Sequence, residues 1–309
     1  WRRVALWMSL QQKSSLKKSK PKFLFAGLGT MGFPMAGHLS LDKSADLYVF
    51  NRTTSVSTKW IKQYAGIQLT SFESLPFKFD GVITCLKDDT AISSFLLKSG
   101  VLNFIKTNGF ILDHSTSSLD LVDLISNNQE ILSKKISFFD APVSGGEAGA
   151  INGALSIMLG GPNKKLSKIK VLMQSYSKNI VHIGSSGHGQ LTKMVNQLCI
   201  ASLIQGLSEG INLGKKSNLN MKRVLEAISG GAAQSWQMDN RFKTMVSGDF
   251  DFGFAVDLMI KDLKIALDQA NKLGIKVPSS KSVLLNYKKI STVGDGGLDT
   301  SSLIKLLKN

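Results

Sequence analysis

From residue 23 onward, short apolar runs alternate with stretches in which apolar residues recur every three or four positions. Residues 23–26, 47–50, 81–85, 110–113 and 137–140 are short, mainly apolar runs that read as strands, the pattern of parallel strands buried on both faces. Helices are predicted between them at 31–40, 55–64, 91–99 and 119–128, so strand and helix succeed one another as in a doubly wound α/β sheet. Beyond residue 184 the character changes. Long helix-compatible stretches follow at 189–217, 221–228 and 258–273, with a glycine-rich break at 294–297. The first of these would run for about 28 residues, longer than an ordinary globular helix, and is expected to be a spine joining two halves. The predicted organisation is a basic, disordered tail over 1–22, a dinucleotide-binding sheet domain over 23–184 and an all-helical domain for substrate and oligomer contacts over 185–309.

A length of 309 residues, with 43% hydrophobic and 19% charged residues, suits two globular domains. The net charge of +16 is uneven, because Arg2, Arg3, Lys13, Lys17, Lys18, Lys20 and Lys22 all precede the first acidic residue, Asp42. Basic surfaces attract anions of every size. No recognition motif, zinc spacing or aromatic platform accompanies the charge, so no specific nucleic-acid partner is expected. The tail also carries a weak organelle-targeting signal, which sets the mitochondrial matrix behind the cytoplasm as the expected compartment. No apolar run reaches the roughly 18 residues of a membrane helix. Cys85 and Cys199 are far apart in apolar contexts and are expected to be buried thiols. His38, His114, His182 and His188 lack a ligand spacing, so no metal is expected and each is assigned a structural part.

Chemistry enters with Gly27-Leu28-Gly29-Thr30-Met31-Gly32, which follows the first apolar strand and opens a helix. In this setting the first glycine permits a tight turn, the second lets backbone approach a pyrophosphate, and the third allows close helix–strand packing. At the end of the second strand an acidic residue would select NAD, but the run is Phe50-Asn51-Arg52-Thr53. Asn51 can hydrogen-bond a 2′-phosphate and Arg52 can fork onto it, which favours NADP, with NAD the second candidate. After the fifth strand comes Asp140-Ala141-Pro142-Val143-Ser144-Gly145-Gly146, in which the Ser144 hydroxyl and the amides of Gly145 and Gly146 can form a concave donor set for a carboxylate. In Gly187-His188-Gly189-Gln190-Leu191-Thr192-Lys193-Met194-Val195-Asn196-Gln197, Lys193 and Asn196 share a helix face. A lysine facing apolar neighbours can have its pKa lowered towards neutrality, where it exchanges protons with an alcohol or carbonyl oxygen.

Residues 27–34, 140–146, 187–196 and Lys261-Asp262-Leu263 together resemble, in order and spacing, the four signatures of the β-hydroxyacid dehydrogenase family, over nearly everything after Lys22. The resemblance implies a Rossmann domain followed by an all-helical domain, and self-association as a homodimer or homotetramer. Residue by residue it implies Lys193 as the catalytic acid/base, and Asn196 with Ser144, Gly145 and Gly146 as holders of a small carboxylate substrate. It further implies Leu86, Thr116 and Lys261 beside the cofactor and Trp236 as a candidate wall of the substrate pocket. Where many members carry a second Asn, this chain has Gln197.

The activity so implied is hydride transfer between NADP(H) and a small 3-hydroxy acid/semialdehyde pair, as in 3-hydroxyisobutyrate dehydrogenases. A glyoxylate or succinic semialdehyde reductase is the alternative within the family. From another class, a non-catalytic NADP-binding module is the rival, against which the intact Lys193 and Ser144–Gly146 segments stand.

Overall fold

In the computed structural model, residues 20–307 are described. The expected tail therefore lies outside the described residues apart from its last three, and Lys22 already belongs to the first strand. That strand, β1 (Lys22–Ala26), is followed by helix α1 (Gly32–Leu39), β2 (Asp46–Phe50), α2 (Thr54–Gln63), β3 (Ile67–Leu69) and β4 (Phe79–Thr84). β5 (Ile105–Asp113) and β6 (Ser137–Asp140) complete a run of six parallel strands in the order 3-2-1-4-5-6, the doubly wound arrangement of a Rossmann sheet. The five strands and the fold class expected from the pattern are all present. The predicted helix at 91–99 starts at Asp89, is α-helical through Ser93 and finishes as a π-turn over Ser94–Lys98.

Alternation along β1 shows why such strands read as continuous apolar runs. Phe23 and Phe25 enter one core with Met35, Trp60 and Phe139, whereas Leu24 and Ala26 enter the other with Ile92, Leu121 and Phe138. Successive side chains point to opposite faces, and helices cover both. Burying an aliphatic or phenyl side chain contributes roughly 1.5–3 kcal/mol, so these two cores hold the sheet between its helices with its carboxyl edge open.

The sheet then continues in a way the sequence pattern did not reveal. β7 (Val143–Ser144) and β8 (Leu155–Gly160) are antiparallel to each other, β8 is also antiparallel to β6, and β9 (Ser177–Gly184) lies parallel to β8. Directly after β9 comes a helix of 29 residues, here α3 (His188–Lys216), about 43 Å long. Its first turns pack on β8 and β9, and its remainder packs against α4 (Trp236–Ser247), α5 (Val256–Lys272) and α6 (Pro278–Ile290). The expected spine is thus present. Ala201, Ile204, Met259, Leu263, Tyr287 and Leu303 form its principal core with the helical half.

Two glycines allow α3 to begin where it does. A Cβ on Gly189 would stand 2.5 Å from the Met158 carbonyl oxygen and 2.6 Å from that of Asp140, while one on Gly160 would stand 2.4 Å from Asp140 Oδ1. Backbone cannot yield to such contacts, so Gly189→Ala is expected to cost roughly 1–3 kcal/mol. Gly206, in the exposed middle of the same helix, has nothing within 4 Å of its Cβ position, and Gly206→Ala is expected to gain about 0.5–1 kcal/mol. Urea denaturation of the two variants checks this. A Gly189→Ala protein as stable as wild type would show that the junction is looser than its geometry.

Candidate functional site

The carboxyl ends of β1, β2, β4, β5 and β7 and the first half of α3 enclose a cleft of about 1550 Å³ that extends to α4 and α5. Gly27, Gly29, Thr30, Met31 and Gly32 line one end of it. Gly27 has φ +96°, and a Cβ there would lie 2.2 Å from the Cys85 carbonyl oxygen, so only glycine makes this turn. On Gly32 a Cβ would stand 1.9 Å from the Gly27 carbonyl oxygen, whereas at Gly29 nothing lies within 4 Å. The outer two glycines let β1, β4 and α1 close on one another, and the middle one leaves a cradle open to the cleft. No side chain caps α1. Open backbone at a helix N-terminus fits a pyrophosphate, and therefore a dinucleotide.

The other expected cofactor residues are distributed unevenly. Leu28 is an exception to the expected lining: its side chain is buried in the core with Phe25 and Met35, and only its N–H, which donates to Asn51 Oδ1 at 2.9 Å, belongs to the turn. Asn51 in turn donates through Nδ2 to the Thr53 carbonyl at 3.0 Å. Its amide thus braces the glycine turn, while Arg52 and Thr53 line the cleft from an exposed position. Leu86 and Thr116 face the same cleft. Leu86 N–H donates to Ser115 Oγ at 2.8 Å, and the Thr116 carbonyl accepts from Lys261 Nζ at 2.7 Å across 145 residues of sequence.

At the other end stand Ser144, Gly145, Gly146, Lys193, Asn196 and Trp236. Lys193, 7% exposed, donates from Nζ to the Val143 carbonyl at 2.9 Å, which places its ammonium beside the Ser144–Gly146 segment. Burial lowers its pKa, Asp262 opposes that shift and Lys261 adds to it. Asp262 Oδ1 is 3.0 Å from Lys261 Nζ, and its Oδ2 accepts from Gln197 Nε2 at 2.7 Å. Trp236 is half exposed at the mouth of the cleft, with the Arg241 guanidinium 5.0 Å from its ring centroid. Arg241 also stacks 4.9 Å from Phe252 and is paired through Nε with the fully buried Asp299.

Several groups that set this geometry are silent in the sequence. The Asp140 carboxylate accepts from Gly187 N–H at 2.8 Å through Oδ1 and from Gln190 N–H at 2.8 Å through Oδ2, so it caps the spine helix. Gln190 reaches back, donating to the Ser115 carbonyl at 2.8 Å and accepting from Ser117 N–H at 3.1 Å. These pairs are 47 to 75 residues apart, and no local pattern announces them. Cys85 is half-buried, its thiol pushed up to about 12 by burial and by Asp113. Cys199 corrects the expectation of a buried thiol: it lies on the outward face of α3 and is exposed. Among the described residues no group of His, Cys, Asp or Glu could hold a metal ion, and no helix is long and apolar enough to cross a membrane.

Comparison with known proteins agrees with this layout. Residues 22–184 match the family described as the NAD binding domain of 6-phosphogluconate dehydrogenase. Residues 187–307 match that described as NAD-binding of NADP-dependent 3-hydroxyisobutyrate dehydrogenase. An uncharacterized oxidoreductase of Shewanella frigidimarina is 43% identical over 93% of this chain and 98% of its own length. The probable 3-hydroxyisobutyrate dehydrogenase-like 1, mitochondrial, of Arabidopsis thaliana is 35% identical over 94% of this chain and 86% of its own. The structure of Mycobacterium tuberculosis 3-hydroxyisobutyrate dehydrogenase with L-serine superposes with a TM-score of 0.82 at 25% identity, covering 94% of this chain and 99% of that one. Fold and site define a nicotinamide-dependent oxidoreductase. The chain belongs to the β-hydroxyacid dehydrogenase family and is an NAD(P)-dependent hydroxyacid dehydrogenase of the 3-hydroxyisobutyrate dehydrogenase type.

Two buried titratable groups at the end of β5, Asp113 and His114, give a pH signature. His114 donates from Nδ1 to the Ala141 carbonyl at 2.7 Å and accepts at Nε2 from the Tyr176 hydroxyl at 3.0 Å, the arrangement of a neutral ring. Burial pulls it down to about 4 from 6.5. The unfolded chain therefore binds more protons over that interval, and stability is lost as pH falls from about 6.5 to 4. Asp113 is pushed by burial from 3.8 to about 6. Here the folded state binds more protons, so stability is gained as pH falls through about 6 towards 3.8. The two effects oppose. Asp113→Asn removes the second alone, and its melting temperature is expected to fall more steeply than that of wild type between about pH 6 and 4. Parallel melting curves from thermal scans across that range would mean that the pair does not titrate as its burial dictates.

Proposed function

We propose that this chain reduces a small semialdehyde acid to its 3-hydroxy acid with NADPH, and catalyses the reverse reaction, with Lys193 as the acid/base group. The observation that carries this reading is a lysine buried against the Val143 carbonyl, its pKa lowered, in the same cleft as the glycine turn of β1. A dinucleotide bound at Gly27–Gly32 supplies or accepts the hydride. Lys193 gives its proton to the aldehyde oxygen as charge develops there, or takes it back from the alcohol. Ser144 and the amides of Gly145 and Gly146 receive the carboxylate, with Asn196 beside them one helical turn from Lys193. Thr116 and Lys261 hold the nicotinamide end, and Trp236 closes the mouth. Their main contribution is orientation and stabilisation of developing negative charge.

NADP preference rests on Arg52. With the Asn51 amide engaged in the glycine turn, Arg52 is the exposed cation at the end of β2, and the run Phe50-Asn51-Arg52-Thr53 carries no carboxylate to repel a 2′-phosphate. A small 3-hydroxy acid is supported by the L-serine named with the mycobacterial relative, itself a three-carbon 3-hydroxy acid. Glyoxylate and succinic semialdehyde are the alternatives, since the same acid-binding segment accepts either.

Oxidation of NADPH and NADH at 340 nm, across methylmalonate, tartronate and succinic semialdehydes and glyoxylate, tests the assignment. Lys193→Ala is expected to lower turnover roughly 10²- to 10⁴-fold with little change in NADPH affinity. Near-normal turnover in that variant would remove Lys193 from the chemistry. Arg52→Ala is expected to raise the KM for NADPH by about tenfold, the worth of one charge-assisted contact, and to leave that for NADH in place. An equal effect on both cofactors would assign Arg52 to the surface.

A further inference from the structure

We propose that the substrate carries a second carboxylate, received by Arg241 and Gln237 of α4, so that this chain acts on 3-hydroxy diacids and the corresponding semialdehyde diacids. The inference rests on the function proposed above and names its substrate class. Gln237 and Arg241 are one helical turn apart and share a face of α4. Both line the cleft, with Trp236, at the end away from the glycine turn of β1.

Arg241 is held from three sides. Its guanidinium lies 5.0 Å from the centroid of the Trp236 ring and 4.9 Å from that of Phe252, and Nε is paired at 3.1 Å with Asp299 Oδ1. Asp299 is itself fixed, because it also accepts from the N–H groups of Phe254 and Ser301 and from the Ser301 hydroxyl. Gly253, at φ +77°, leaves the space for this: a Cβ there would stand 2.1 Å from Asp299 Oδ2 and 2.9 Å from Arg241 Nη2. A guanidinium has five N–H donors in a planar fork. Nε donates to Asp299 and Nη1 to the Asn240 carbonyl at 3.1 Å, while Nη2 donates to no group among the described residues. Asp299 shares its charge among several donors, so the free edge of the fork still attracts an anion.

Gln237 supplies an independent observation. It is 8% exposed, and its Oε1 is buried without a partner. Its Nε2 likewise donates to no group among the described residues. Buried polar groups are paired almost everywhere in folded proteins, and an exception in the wall of a cleft marks a place for a ligand. An uncommitted amide on the same helix face as an uncommitted guanidinium nitrogen offers two donors to one group, and a carboxylate accepts both. The methyl branch of 3-hydroxyisobutyrate would leave both donors unmatched, and glyoxylate has no branch to reach them.

Steady-state kinetics of the full-length protein with NADP test the assignment. 2-(Hydroxymethyl)succinate and 2-(hydroxymethyl)glutarate are compared with 3-hydroxyisobutyrate and with 2-(hydroxymethyl)pentanoate, whose branch ends in methyl instead of carboxylate. The better diacid is expected to exceed the pentanoate in kcat/KM roughly 10- to 100-fold, the worth of one charge-assisted contact. Arg241→Met is expected to erase that ratio while 3-hydroxyisobutyrate is turned over within a factor of about two of wild type. Because Arg241→Met also strips the buried Asp299 of its cation, Gln237→Leu, which touches no charge, is the second variant. It is expected to lower the ratio about fivefold. Titration of the NADP-loaded protein with glutarate and with pentanoate, neither of which can react, reads the same contact apart from turnover, and glutarate is expected to bind about tenfold tighter or better. Equal kcat/KM for diacid and monoacid, equal affinity for glutarate and pentanoate, or a diacid preference that survives both substitutions would overturn the proposal. Lys193→Ala, measured alongside, separates the two readings. Turnover lost in Lys193→Ala without a diacid preference in wild type sinks this inference alone. Turnover kept in Lys193→Ala sinks the acid/base assignment, and the glutarate titration still judges Arg241 and Gln237.

Discussion

Asp140 ends β6 with its carboxylate turned away from water, and the N–H groups of Gly187 and Gln190 donate to its two oxygens. A helix begins with orphan N–H groups and the positive end of its dipole, and a buried carboxylate satisfies both at once. Burial raises the pKa of Asp140, and the N–H donors act against that shift, so the cap holds the charge that the interior would neutralise. The 29-residue spine thereby starts at one fixed point of the sheet edge. Lys193 then falls just beyond the first turn, with Asn196 and Gln197 on the next. Gln190 adds a second tether to the strand-end loop carrying Ser115 and Thr116. A small rotation of α3 about its axis would carry Lys193 away from the Val143 carbonyl, and these contacts prevent it.

Legibility in the sequence followed burial. The strands that the pattern revealed are buried on both faces, so successive positions along them are apolar, as in 23–26 and 110–112. β9 is half-exposed along its length, with Lys178, Asn179 and His182 among its residues, and its pattern is that of a surface segment. β7 is two residues long and has no pattern to read. The helix Trp236–Ser247 opens on a half-exposed Trp and carries Asp239, Asn240 and Arg241 within its first two turns, which obscures its period.

Candidate site residues divided along a similar line. The glycines were legible because each has a backbone reason, seen here in the close approach of Gly27 and Gly32 and the open space at Gly29. Leu28 sits within the same motif, yet its side chain turns into the core, because a tight turn sends neighbouring side chains to opposite sides. Asn51 was legible as a polar group at the end of β2, but whether its amide faces a ligand or the turn depends on the loop's own hydrogen bonds. Asp140, Gln190 and Asp262 act only through partners tens of residues distant. Such work is invisible until the chain is folded.

The electrostatics of the cleft follow from these constraints. Two ammonium groups, Lys193 and Lys261, act together with one buried carboxylate, Asp262, so this group of three carries one positive charge in excess. A buried cation without a partner of its own is costly, and the cost appears as a lowered pKa. An anion entering there would supply the missing negative charge. A second acidic residue beside Lys193 would remove the excess and oppose the lowering of its pKa, as Asp262 already does in part. The unequal count of charges beside Lys193 therefore acts with burial to lower its pKa, and the Asp140 cap keeps that arrangement in register with the sheet.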